Sequence, residues 1–120
     1  MSQRNTFPKS FRLENSRSVR KVFEKGKYLS LGPIGVKYII GETKTSRFSI
    51  SINKKVGNAP FRNRIKRFVR EAVRNERSEL SYTYDMCFFV TNPPKRSLEL
   101  VYVMFEIRRF FKKLNHEFGK

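Results

Sequence analysis

Residues 47–91 read RFSISINKKVGNAPFRNRIKRFVREAVRNERSELSYTYDMCFFVT, and the spacing of their apolar side chains changes twice. Phe48, Ile50 and Ile52 alternate with Ser49, Ser51 and Asn53. That two-residue period predicts a strand with one apolar face and one small, polar face, the second roomy enough for a ligand. After Pro60 the period becomes 3.6, with Phe61, Ile65, Phe68, Val69, Ala72 and Val73 on one helical face. Asn58 suits the N-cap and Pro60 the first turn, and the helix should end near Arg77. Residues 85–91 are an apolar run of strand length, closed by Asn92-Pro93-Pro94. Strand, helix and strand make one unit, with the apolar helix face packed on a sheet.

The rest of the chain extends this unit. Upstream, Val19, Val22 and Phe23 form the apolar stripe of a helix over 16–25, with Gly26 as its stop. Residues 28–31 read as a short strand before Gly32-Pro33. Ile34, Val36, Tyr38 and Ile40 alternate as the next strand, and 42–46 reads as a hairpin loop leading into Phe48. Downstream, Ser97 could cap a last helix with Leu100, Val103, Met104, Ile107, Phe110, Phe111 and Leu114 on one face. A strand over 98–105 is the alternative, because Val and Tyr are dense there, but the helical spacing continues well past Phe105. The expected fold is α+β: a single-layer mixed sheet of about four strands with helices packed on it, in the order α-β-β-β-α-β-α. Residues 1–120 should form one domain, with 1–11 a loose basic arm.

Charge indicates what such a domain binds. Twenty-seven Lys and Arg oppose ten Asp and Glu, a formal +17 at pH 7. That excess repels itself in a compact fold and makes sense beside a polyanion. The 12 Phe among 38% hydrophobic residues exclude a disordered basic tail. The single cysteine, Cys87, excludes an internal disulfide and reads as a buried, inert thiol. With His116 the only histidine, no zinc-ligand pattern arises. No stretch has the length of a signal peptide's apolar segment or of a membrane span, so a cytoplasmic protein is expected.

The excess is densest in residues 54–77, where nine Lys and Arg face two Glu. At 100° per residue, Arg62, Lys66, Arg67, Arg70, Arg74 and Arg77 occupy one broad arc with Asn63 inside it, and the apolar stripe lies elsewhere on the helix. Arg64 projects away from this row, near the other edge of the stripe. Guanidinium groups bond phosphate in pairs and stack on bases, so such a row suits folded RNA. Lys54 and Lys55 bring charge to the helix start, where Gly57 and Asn58 permit a tight turn and backbone amides can face a phosphate.

These residues also carry a resemblance. Lys54-Lys55-Val56-Gly57-Asn58-Ala59, then Arg62-Asn63-Arg64-Ile65-Lys66-Arg67, then Arg70-Glu71-Ala72, closely resembles the signature of the protein subunit of bacterial ribonuclease P. Arg12-Leu13 followed by Val22-Phe23 and Gly26 is similar to the start of that family. The resemblance spans roughly residues 11–115. It implies a protein that assists a catalytic RNA subunit in removing the 5′ leader of precursor tRNA. It further implies a left-handed strand-helix-strand crossover and catalysis by Mg2+ held through RNA, with no cofactor bound by the protein alone. Contacts to the RNA subunit would come from Lys54, Lys55, Asn58, Arg62, Asn63, Arg64, Lys66, Arg67, Arg70 and Arg74. Leader contacts would come from a cleft around Val19, Phe23, Lys37 and Ser49. The chain departs from the family in two places. Val19 stands where an aromatic is usual, and Tyr38 lies one residue beyond the usual cleft aromatic, so it should point to the opposite sheet face. Stacking of leader bases would then be weaker, or supplied by Phe23.

The residues give no sign of a protein nuclease. His116 reads as a surface residue, and the ten scattered acids make no recognisable metal-ligand motif. Other function classes are a ribosomal-type protein or general RNA chaperone, a DNA-binding module with the basic helix in the major groove, and a membrane-surface protein. The full run from Arg62 to Arg67 argues against the first. Binding to duplex DNA against folded RNA would separate the second. The third would need the apolar stripe exposed to lipid.

Overall fold

A computed structural model describes residues 12–95 and 98–118. The proposed arm at 1–11 and the Ser97 cap lie outside the described residues. The elements are α1 (Ser16–Lys25), β1 (Lys27–Leu31), β2 (Ile34–Ile40), β3 (Arg47–Ile52), α2 (Ala59–Glu76), β4 (Tyr84–Val90) and α3 (Leu100–Phe118). Short 3-10 turns at Lys54–Val56 and Arg77–Glu79 flank α2. This is the order read from the sequence, and the last element is a helix.

The sheet order is β1-β2-β4-β3. β1 and β2 form the tight antiparallel hairpin, with Leu31 paired to Ile34 across Gly32-Pro33. β4 is antiparallel to β2 and parallel to β3. The expected hairpin over 42–46 is therefore wrong: β2 and β3 are not neighbours, because β4 lies between them. The physical reason is the burial of β4. Six of its seven residues are buried, on both faces of the sheet, so it needs a strand on each side. Parallel neighbours cannot be joined by a tight turn, and α2 makes the crossover from β3 to β4. The main chain of Arg12 and Leu13 lies along the outer side of β3, with the Leu13 amide donating to the Phe48 carbonyl at 3.0 Å.

Helices cover both sheet faces. Val36, Tyr38, Phe48, Met86 and Phe88 pack with Ile65, Val69 and Val73 of α2 and Val103, Ile107, Phe110 and Leu114 of α3. Rings lock this layer: Tyr38 meets Phe110 edge-on at 5.2 Å, and Phe88 meets Phe110 at 6.3 Å. Tyr38 thus points away from α1, as its position in the alternation requires. On the other face Val22 of α1 packs with Leu13 and Cys87, flanked by Val19 and Ile39. Burial pushes the Cys87 thiol up, with the Ser49 hydroxyl partly opposing it, which leaves an inert side chain.

Gly26 ends α1, but not through a left-handed cap. Its φ is −78°, open to any residue. A side chain there would meet the Tyr38 carbonyl oxygen at 2.8 Å and the Val22 carbonyl oxygen closer still. Close approach of α1 to β2 demands the glycine.

Candidate nucleic-acid interface

The start of α2 is built by side-chain caps. Asn53 accepts from the Lys55 amide at 2.9 Å, and Asn58 accepts from the Phe61 amide at 3.0 Å. The Val56 and Arg62 amides go to the carbonyls of Asn53 and Asn58. These four amides are occupied, so the expected phosphate cradle of backbone amides does not include them. Gly57 is extended, with φ 168°. Its bare α-carbon admits the Phe61 ring, which a side chain would strike.

The basic residues of α2 divide by exposure. Lys54, Lys55, Asn63, Arg64, Arg67 and Arg70 are exposed, while Arg62, Lys66, Arg74 and Arg77 are half-buried. Arg62 donates to the Gly57 carbonyl at 3.0 Å and so braces the turn. Arg74 pairs with Glu71. Desolvation lowers the pKa of Arg77. Asn58 spends its side-chain oxygen on the cap. The outward strip is thus narrower than the arc read from the sequence, and Arg64 widens it on the side away from Arg62.

The second candidate surface lies across the sheet. Register places Tyr28, Lys37, Cys87 and Ser49 in one row, and Ser30, Gly35, Phe89 and Ser51 in the next. Alternation puts both rows on the α1 side. Phe23, on α1, is 40% exposed above them. The Lys37 ammonium donates to the Phe23 carbonyl at 2.9 Å and sits 5.5 Å from the Phe23 ring centroid. Val19, Phe23, Lys37 and Ser49 therefore all lie on the α1 side of the sheet, Val19 half-buried on α1, and this side is the candidate groove.

Sequence reasoning missed two groove residues. Phe89 lies 6.0 Å from Phe23 and 6.0 Å from Tyr28, ring centroid to centroid. Together they make an aromatic run across the groove, ending at Tyr28, which is 58% exposed. Gly35 is the signal that could have revealed it. A side chain there would meet the Phe89 ring at 2.7 Å and the Tyr28 ring at 3.1 Å. A glycine inside a strand marks such an approach. Beyond this run opens a cavity of about 720 Å³ whose lining includes Tyr28, Phe89, Pro93, Pro94 and Tyr102. His116 is exposed. Among the described residues no three His, Cys, Asp or Glu come together as metal ligands. Among the same residues no helix is long and apolar enough to cross a membrane.

An α+β domain with an arginine-rich helix on one side of its sheet and an aromatic groove on the other has the build of an RNA-binding protein. A family model described as Ribonuclease P matches residues 7–115. The Ribonuclease P protein component of Dictyoglomus turgidum is 39% identical over 84 residues, covering 70% of this chain and 71% of that one. That of Exiguobacterium sibiricum is 30% identical over 106 residues, covering 88% and 90%. The solved ribonuclease P protein from Thermotoga maritima superposes with a TM-score of 0.72 at 25% identity, covering 85% of this chain and 96% of that one. The chain belongs to the bacterial ribonuclease P protein family. That family's role is removal of the 5′ leader of precursor tRNA, by an endoribonuclease that acts with its RNA subunit.

Proposed function

We propose that the two faces divide the work of the particle. The exposed strip of Lys54, Lys55, Asn63, Arg64, Arg67 and Arg70 docks the catalytic RNA, with Lys66 and Arg74 at its margin and Asn58 and Arg62 holding the helix start in place. The groove of Val19, Phe23, Lys37 and Ser49, extended by Phe89 and Tyr28, takes the 5′ leader as an extended single strand. Aromatic rings accept any base, and Lys37 offers charge to a phosphate. The supporting observation is the separation of the surfaces by the sheet, which lets one protein hold two RNAs at once. The α2 crossover is left-handed in this reading, the whole chain acts as one domain, and the particle works in the cytoplasm. The chemistry belongs to Mg2+ held by RNA.

Reconstitution tests this. Purified chain is added to the catalytic RNA transcribed in vitro, and precursor tRNA cleavage is followed at low magnesium. The protein should raise cleavage of precursor with a long leader and cut nothing alone. Cleavage by highly purified protein without RNA, abolished by a point substitution, would refute the assignment of chemistry to the RNA.

A further inference from the structure

The inner side of α3 is fully committed to the core through Val103, Ile107, Phe110, Phe111 and Leu114. Its outer side is unusual. Between Val101 and His116 every exposed position is apolar, aromatic or basic, and none is acidic. Val101 is 77% exposed and Phe105 55%. A solvated helix face normally mixes charge signs and does not spend large apolar side chains on water. Within the helix's middle turns the acids are withdrawn, half-buried Glu106 lying 3.6 Å from Arg109 and buried Glu76 3.0 Å from Arg108, while exposed Glu99 and Glu117 stand only at its two ends. The Arg109 guanidinium sits 5.7 Å from the Phe105 ring centroid. Lys112 and Lys113 extend the positive charge one turn further.

We infer that this outer face of α3 is a second docking surface for the catalytic RNA, on which an unpaired nucleobase stacks against Phe105 beside Arg109 while Lys112 and Lys113 meet the adjoining phosphates. An aromatic ring next to a guanidinium is a stacking platform for any base, and the lysines supply sequence-independent attraction. Charge selects a polyanion over an acid-free copy of the same face. Position selects which RNA. Asn75 contacts the Met104 sulfur at 4.0 Å and Glu76 bonds Arg108, so α3 adjoins the C-terminal half of α2. Both helices lie on the sheet face opposite the α1 groove. An RNA seated on α2 runs on over α3, whereas the leader groove lies across the sheet and meets α3 only at Tyr102, where its cavity ends. The inference rests on the reading of α2 as the RNA-subunit site.

The test uses the full chain, with a photo-cross-linking phenylalanine analogue at position 105, bound to in vitro transcribed catalytic RNA and precursor tRNA together. Cross-links should fall in the catalytic RNA. In parallel, Phe105→Ala should weaken catalytic-RNA binding about tenfold without changing its salt dependence, because a ring displaces no counterion. Phe105→Trp should retain affinity. Replacing Lys112 and Lys113 by Ala should instead flatten the slope of log affinity against log salt by about 1.5. Cross-links confined to the tRNA, or unchanged affinity for Phe105→Ala, overturn the inference. So does self-association of the free chain that Phe105→Ala abolishes while no RNA is labelled, which would assign the face to a second copy. If Arg67→Ala leaves affinity intact while position 105 still labels the catalytic RNA, the α2 reading falls and the α3 surface stands.

Discussion

The exposed strip of α2 and the groove beside α1 offer an RNA different chemistry. On α2 the cations are many, lie on one rigid helix and point outward, with Arg62 and Arg74 at its edges engaged by the protein itself. In the groove the charge is sparse: Lys37 leans on α1, and the surface is made of rings and small polar strand residues. The first arrangement suits a folded RNA whose phosphates sit at fixed positions. The second suits a flexible strand of any sequence. Affinity on α2 should therefore depend steeply on salt, and affinity in the groove should depend on aromatic area.

The largest effect comes from the layer that both surfaces share. Phe110 is 1% exposed and touches the rings of Tyr38, Phe88 and Phe111. Phe110→Ala should cost about 3–5 kcal/mol of folding stability, read by denaturant unfolding. Catalytic-RNA binding and leader recognition should then fail together. A variant that lost one and kept the other at full strength would show that the two faces do not depend on one core.

Next in size is removal of the outward arginines. Arg64, Arg67 and Arg70 are exposed and lie off the apolar stripe, so replacing all three by Ala should leave the melting temperature nearly unchanged. At about 1 kcal/mol for each charge contact near water, affinity for the catalytic RNA should fall about 100-fold. The slope against log salt should flatten by about 2 to 3. The preference for precursor over mature tRNA, measured once the particle is saturated, should persist. Loss of that preference with a normal salt slope would reverse the two assignments.

Much of this was legible from residue spacing. The stripe Phe61, Ile65, Val69 and Val73 placed α2 because nothing but a helix gathers those positions. Asn58 and Pro60 placed its start because only certain side chains satisfy those amides. Which strands pair was not legible. Residues 42–46 have the composition of a hairpin, and strand order depends on where the doubly buried β4 inserts, a tertiary fact that no local pattern encodes. The groove was half legible. The small face of β3 and the position of Tyr38 were readable by counting, but Phe89 was not assigned to the groove, because in the run Met86-Cys87-Phe88-Phe89-Val90 both alternating sets are apolar. The engagement of Arg62 by the Gly57 carbonyl was also hidden, since a sequence shows charge and not its hydrogen-bond partner.

The aromatic run gives a sharper and smaller effect. Phe89→Ala removes the ring between Phe23 and Tyr28 and should lower affinity for precursor tRNA with a long leader about tenfold, with mature tRNA unchanged and the salt slope intact. Gly35→Val should act similarly by displacing the same ring, since a side chain at 35 collides with it. Equal losses for precursor and mature tRNA would mean that the groove does not hold the leader.

The smallest effect is the most discriminating, because Lys37 has two roles. Its ammonium donates to the Phe23 carbonyl in the last turns of α1, where a cation opposes the negative end of the helix, a contribution of about 0.3–1 kcal/mol. It is also the groove's candidate for a leader phosphate. Lys37→Ala should therefore lower stability slightly, weaken long-leader precursor a few-fold, and flatten the salt slope by no more than about 1. Lys37→Arg should recover most of the binding, since it restores charge over the Phe23 ring. Lys37→Met should recover neither charge-dependent effect while keeping the apolar stem. A cross-linker at position 37 should label leader nucleotides. If it labels only the catalytic RNA, the groove is part of the particle interface, and the division of labour between the two sheet faces is lost.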